Sequence, residues 1–384
     1  MNKKIIATVI CLLLIFCFAA CGQQTEEKNY ETLSGAIEEI SKYGNVKITT
    51  TKEMMHSGGY EFGDIVTISF ADKKIDVPYC ATYSDVDAGA AGLFGRYDDE
   101  TVTVAVNVGD FATIYGIAEK RTLEDNAYEW VYCEGIDENL TFTISMKQKR
   151  GYYNQYIIRQ LSYSDEREDY PHLTDEEFGN FRVVSTFGMG KNVLYRSATP
   201  VDPQKNRNVY VDAAAMEHGI TVIIDLNDSE ETLASFEGYE TSYFAATDHI
   251  ALNMGLDFTQ ADFKEKLKKA FEYMIENDGV YLIHCLEGKD RTGFVVALLE
   301  FLMGASYDEA EADYMITYYN YYGVKKGEER YDIIAESNFE KNLLRSFGVE
   351  EVKNADLKKL AFDYISEIGL TEREIEALKA NLAS

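Results

Sequence analysis

The run His284-Cys285-Leu286-Glu287-Gly288-Lys289-Asp290-Arg291-Thr292-Gly293 places a thiol, a guanidinium and a hydroxyl at spacings suited to work on a phosphoryl group. It lies between the apolar stretch Val280-Tyr281-Leu282-Ile283 and an apolar stretch from Phe294 to Met303, which read as a buried strand and a central helix. A loop in that position, with Gly288 allowing tight curvature, can turn the backbone N–H groups of Leu286, Glu287, Gly288, Lys289, Asp290, Arg291 and Thr292 toward one anion. The dipole of the following helix favours the same charge. Arg291 adds a planar fork that grips two oxygens at once. These positive surroundings favour the thiolate form of Cys285, which is the nucleophilic form. Thr292 can donate its hydroxyl to that thiolate when it leaves.

The elements that must position this loop occupy the second half of the chain. Leu194-Tyr195-Arg196-Ser197 and Thr221 to Leu226 read as strands, Val209 to His218 as a helix, and Phe263, Leu267, Ala270, Phe271, Met274 and Ile275 as the apolar stripe of another. Ser306 and Glu309, like Thr371 and Glu374, have capping-box spacing and open later helices. The expected fold is an α/β domain over residues 170–384, a mostly parallel central sheet flanked by helices with a helical C-terminal cap. A small β-rich domain over 31–162 precedes it, with strands around Val46, Ile65, Thr101 and Thr141 and a charged linker at Ser164 to Asp169. Within it, residues 31 to 42 read as a helix with Leu33, Ile37 and Ile40 on one face, and Tyr156 to Arg159 as a last strand.

The chain's formal net charge of −29 argues against nucleic acid as a partner and against a general basic face for membranes. An anionic substrate must therefore be caught by a local positive pocket. At the N-terminus, Lys3 and Lys4 precede an apolar run from Ile5 to Phe16 that is short for a membrane span. The run ends Ala19-Ala20-Cys21, which resembles the lipobox of bacterial lipoproteins. That resemblance implies a signal peptide over 1–20, an acylated Cys21, a tether over 21–30, and an extracytoplasmic, lipid-anchored protein that meets the membrane only through its anchor. Outside the cytoplasm Cys80 and Cys133 could pair, which leaves Cys285 over. The five histidines show no metal-ligand spacing, and the proposed chemistry requires neither a metal nor a cofactor.

The loop resembles that of the cysteine-dependent protein tyrosine and dual-specificity phosphatases, His-Cys-x5-Arg-Ser/Thr. With Lys289 and Asp290 before Arg291, it looks most like their bacterial branch, which acts on phosphotyrosine, phosphoserine/threonine and phosphoinositides. Tyr195-Arg196-Ser197 and the strand Ile220 to Asp225 also fit that branch, and the resemblance spans about residues 176–345. It implies a phosphoric monoester hydrolase with a phosphorylated protein or phospho-inositol substrate and a cysteinyl-phosphate intermediate on Cys285. It also implies a general acid, for which Asp290, Asp248 and Asp257 all stand in plausible places. The chain departs from the branch in two respects: Glu287 stands where small residues are usual, and Asn227-Asp228 where the branch often carries arginine. An inositol-phosphate phosphatase and a catalytically weak phospho-ligand binding lipoprotein are the alternative functions. Separately, Thr82 to Val86 and Val104 to Ala112 resemble the small C-terminal β-domain of S-adenosylmethionine hydrolases and halogenases, as a scaffold from which no site residue carries over.

Overall fold

The computed structural model describes residues 30–124 and 127–384. The segment expected to be a signal peptide, with Cys21, lies outside the described residues.

Short strands of alternating burial build the first half. β1 (Leu33–Ile40), β2 (Val46–Thr51), β3 (Ile65–Phe70), β4 (Lys73–Cys80), β5 (Ala91–Phe94), β6 (Thr101–Val106) and β9 (Thr141–Gln148) close into a barrel in the order β1-β2-β6-β5-β4-β3-β9. β7 (Ala118–Thr122) and β8 (Tyr128–Tyr132) form a separate two-stranded ribbon. Inward residues such as Ile48, Ile68, Val104, Phe142 and Ile144 fill the barrel. The stretch Thr82 to Ala112 belongs to this unit: Thr82 and Asp85 cap a short 3-10 turn, and Phe111 enters the core.

Two expectations for this half are corrected. Residues 33–40 form a strand that closes the barrel between β2 and β9, not a helix. A bulge between Ile37 and Glu39 breaks the period of two. The resulting spacing of Leu33, Ile37 and Ile40 imitates a helical stripe. Tyr153–Arg159 is a helix, not a strand, because its residues serve two neighbours at helical spacing. Tyr152 and Tyr156, four apart, pack on the barrel's outer cluster, while Ile158 packs on the core of the second unit. Cys80 and Cys133 are both free thiols.

The second sheet runs β10 (Arg182–Val183), β11 (Leu194–Ser197), β14 (Tyr281–His284), β12 (Val222–Asp225), β13 (Asp248–Ala251). β11, β14, β12 and β13 are parallel, and β10 is an antiparallel edge. Alternate residues face two apolar layers. Leu194, Val222, Ile224, Tyr281 and Ile283 join the core shared with the helices Ala261–Glu276 and Asp290–Met303. Tyr195, Ile223 and Leu282 join the opposite layer with the helix Asn208–Glu217. Burial on both faces explains why these strands read as unbroken apolar runs. Both capping boxes form, opening the helices Tyr307–Tyr322 and Glu372–Ala383.

The sheet carries charge into this core. Arg196 of β11 is fully buried and pairs with Asp313 of the helix Tyr307–Tyr322, and Arg182 of β10 reaches the same carboxylate at 3.0 Å. Burial works against the Asp313 charge, but the two guanidiniums hold its carboxyl below the ordinary range. Replacing Asp313 with Ala should cost about 3–5 kcal/mol, because two buried cations lose their counter-charge. Breaking the exposed Arg150–Glu329 pair between the two units should cost under about 1 kcal/mol. Urea denaturation of the two variants checks the contrast.

Candidate active site

The register of the second sheet gathers the site. Ser197, His284 and Asp225 lie side by side at the C-terminal ends of β11, β14 and β12. The segments that follow, Ala198 to Asp202, Cys285 to Lys289 and Leu226 to Ser229, therefore emerge on one edge.

The loop after β14 is tied from outside by its carbonyls. Leu286 O accepts from Thr199 N at 3.2 Å, Glu287 O from Asn180 Nδ2 at 3.0 Å, and Gly288 O from Arg196 Nη2 at 3.0 Å. Among the described residues, none of the backbone N–H groups of Leu286 to Lys289 has an acceptor. With three successive carbonyls engaged outward, these donors are left for a ligand. Gly288 makes the arrangement possible. Its φ is +66°, and a Cβ there would come within 2.1 Å of Ser197 O.

Cys285 is buried at the start of this loop. Arg291, in the first turn of the helix Asp290–Met303, donates through Nη1 to Leu226 O at 3.3 Å and Met254 O at 3.0 Å, and through Nη2 to Asn227 Oδ1 at 2.7 Å. Three of its five N–H donors are thus used, and its Nε is buried without a partner. The anchored guanidinium keeps Nε and one Nη2 donor for a bidentate grip. The Thr292 hydroxyl is likewise buried and unpartnered.

His284 is fully buried, with Nδ1 3.8 Å from Asp225 Oδ1. Burial holds its imidazole neutral, well below the usual histidine range. Burial also pushes the Asp225 carboxyl up to about 6, even though Asn227 N and Asp228 N both donate to it. Asp228 rises for the same reason, with the Asp225 charge adding to it.

The rim of the loop is crowded with opposite charges. Lys289 Nζ donates to Glu287 Oε2 at 2.6 Å and lies 3.9 Å from Asp290, and the Tyr163 hydroxyl donates to the other Glu287 oxygen. Burial opposes the Glu287 charge, but Lys289 and Tyr163 hold its carboxyl below the ordinary range. Burial raises Asp290, with Lys289 pulling the other way.

The three candidate acids part company here. Asp290 directly precedes Arg291, lies 3.9 Å from Lys289 and remains partly open to solvent. Asp248 is exposed and opens β13 opposite Val222, so the structure does not bring it to the site. It stands at the far end of the sheet, about 10 Å of strand away from the loop edge. Asp257 is on the correct edge but is consumed locally. Its carboxylate accepts from Thr259 N, Thr259 Oγ1 and Gln260 Nε2 and pairs with Arg345 at 2.8 Å, and the hydrogen bonds from Thr259 lower it to about 2. Among the described residues, no group of three or more His, Cys, Asp or Glu side chains is placed to hold a metal ion.

Asn180, Thr199, Asn227 and Tyr163 were not singled out for these roles from sequence. The departure at Asn227 was the available signal, since the segment that leaves β12 runs beside the loop. Asn227→Ala should lower affinity for vanadate and kcat/KM by about tenfold, the value of one charge-assisted hydrogen bond, with little change in thermal stability. Equilibrium binding of vanadate beside a melting curve checks it.

Residues 177–384 match the sequence model of the tyrosine phosphatase family. Among solved structures, similarity extends to the core catalytic domain of the PP-IP phosphatase SIW14 from S. cerevisiae, at 19% identity over 43% of this chain and 93% of that one, with a TM-score of 0.25. The phosphatase domain of Yvh1 from Chaetomium thermophilum is 15% identical over 50% of this chain and 90% of that one, with a TM-score of 0.22. An uncharacterized conserved protein from Thermotoga maritima is 17% identical over 29% of this chain, with a TM-score of 0.23, and the chain spans only 35% of its length. No curated protein matches the chain.

Proposed function

The chain belongs to the tyrosine phosphatase family, and on that premise we propose that it hydrolyses phosphomonoesters through a phosphoryl group carried on Cys285. The observation that supports this best is the loop, with its carbonyls tied outward, its N–H groups unused and an anchored Arg291 beside the thiol. In the first step Cys285 Sγ, as thiolate, attacks phosphorus while the bond to the leaving oxygen breaks. The Asp290 carboxyl gives its proton to that oxygen. Arg291 and the loop N–H groups hold the three equatorial oxygens as their charge spreads. In the second step water attacks phosphorus, Asp290 takes the water's proton, and Cys285 leaves as thiolate next to the Thr292 hydroxyl. The products are the alcohol or phenol and inorganic phosphate. Substrates are a phosphorylated protein or a phospho-inositol.

Cys285→Ser should abolish turnover of para-nitrophenyl phosphate while vanadate still binds, because a hydroxyl is a poor nucleophile at neutral pH. Retained activity in that variant would end the cysteinyl-phosphate reading. Asp290→Asn should cost roughly 10²–10³-fold on phosphotyrosine and alkyl phosphates but much less on para-nitrophenyl phosphate, whose leaving group needs no proton. The sign with pH follows from the raised Asp290 carboxyl. The acid works protonated, so its activity falls as pH rises through its pKa, and the raised value moves that fall to higher pH. Asp290→Asn should remove this alkaline limb, and pH profiles on the two substrate types check it.

We also propose that the protein is extracytoplasmic and anchored through an acylated Cys21, with the barrel and its tether holding the phosphatase unit off the membrane. Cys21→Ala should move the protein from the detergent phase to the aqueous phase after Triton X-114 partitioning of host cells. Equal partitioning of both forms would remove the anchor from the proposal.

A further inference from the structure

The cations around the loop differ in what neutralises them. Lys289 is held by Glu287 at 2.6 Å, with Asp290 3.9 Å away, and its remaining hydrogen bond goes to the Tyr322 hydroxyl at 3.3 Å. Lys205, which lies 5.0 Å from the centre of the Tyr163 ring, pairs with Asp165 at 3.7 Å. Arg207 is fully buried and donates to the carbonyls of Phe178 and Ser164. Arg291, too, is held by amide oxygens among the described residues, but unlike the sealed Arg207 it stands in the first turn of the helix that follows the loop, where its charge can meet a substrate.

Tyr163 and Asp165 come from the segment between the barrel and the second sheet. Tyr163 packs edge-on against Tyr321 and Tyr322, with ring centres 5.0 and 5.4 Å apart, and its hydroxyl fixes Glu287. The linker therefore supplies the group that pins one acid on the loop and the acid that pairs the second lysine. A ligand with one phosphoryl group finds Arg291 and the loop N–H groups free. A ligand with phosphates clustered around the first meets Glu287 and Asp290 on the rim, and two lysines already paired.

Resting on the phosphatase reading of this site, we propose that Glu287, held by Tyr163 and Lys289, is a specificity-determining residue that restricts the enzyme to singly phosphorylated substrates and excludes polyphosphorylated inositols. The test measures kcat/KM for a peptide with one phosphotyrosine and for myo-inositol hexakisphosphate, in wild type, Glu287→Gln and Glu287→Ala. Wild type should favour the peptide, and both variants should shift the ratio toward the hexakisphosphate by about tenfold, as removal of one like charge a few ångströms away allows. Because the ratio is read, a general loss of activity or folding affects both substrates alike and does not imitate the effect. An unchanged ratio in both variants, or a wild-type preference for the hexakisphosphate, overturns the inference while leaving the phosphatase reading intact. Failure of the wild type to hydrolyse para-nitrophenyl phosphate overturns the phosphatase reading and this inference with it.

Discussion

The three carbonyls of Leu286, Glu287 and Gly288 cannot face inward, because Thr199 N, Asn180 Nδ2 and Arg196 Nη2 hold them from outside. Each residue of a peptide chain has one donor and one acceptor, so fixing the acceptors on one side of a tight loop decides where the donors point. The rest of the site depends on that constraint. It sets the direction of the loop's N–H groups, and it depends on residues far apart in the chain that the sheet register brings together.

Arg196 shows how deep this dependence runs. It holds Gly288 O with one end of its guanidinium and Asp313 with the other, in a region fully sealed from water. Asp313 is shared with Arg182, and Glu300 lies buried close by with its carboxyl pushed well above its ordinary range by burial and by the charge of Asp313. Such a cluster contributes little net stability compared with apolar packing. Its contribution is geometric, since it holds Arg196 where Nη2 donates to Gly288 O.

Much of this was legible before any coordinates. The strands around Ile223 and Leu282 announced themselves as apolar runs because both faces are covered, and Cys285, Gly288 and Arg291 did so because loop chemistry demands those residue types. What failed were segments whose periodicity answers to two neighbours or to a bulge. β1 imitates a helix because its bulge shifts the alternation, and the helix Tyr153–Arg159 has apolar residues toward both the barrel and the phosphatase core. The general acid was ambiguous for a different reason. Asp248, Asp257 and Asp290 differ in register and hydrogen bonding, and neither is written in the spacing of aspartates along a chain.

The anchoring of Arg291 follows a logic that the surrounding charges make visible. In a chain of formal charge −29, a lone guanidinium is readily drawn into an ion pair with a carboxylate. A carboxylate partner would have to be displaced, or would repel the incoming phosphate, before the fork could be used. Leu226 O, Met254 O and Asn227 Oδ1 satisfy three of the five donors with dipoles that carry no net charge. The guanidinium is thereby oriented in advance, and on the proposed reading its bidentate edge would need little reorganisation to grip a phosphate. The branch that this loop resembles often carries arginine where Asn227 and Asp228 stand, and a cation there could not accept from Arg291 as Asn227 does. Asparagine at 227 instead supports Arg291, and on the proposed reading that leaves one guanidinium for a single phosphoryl group.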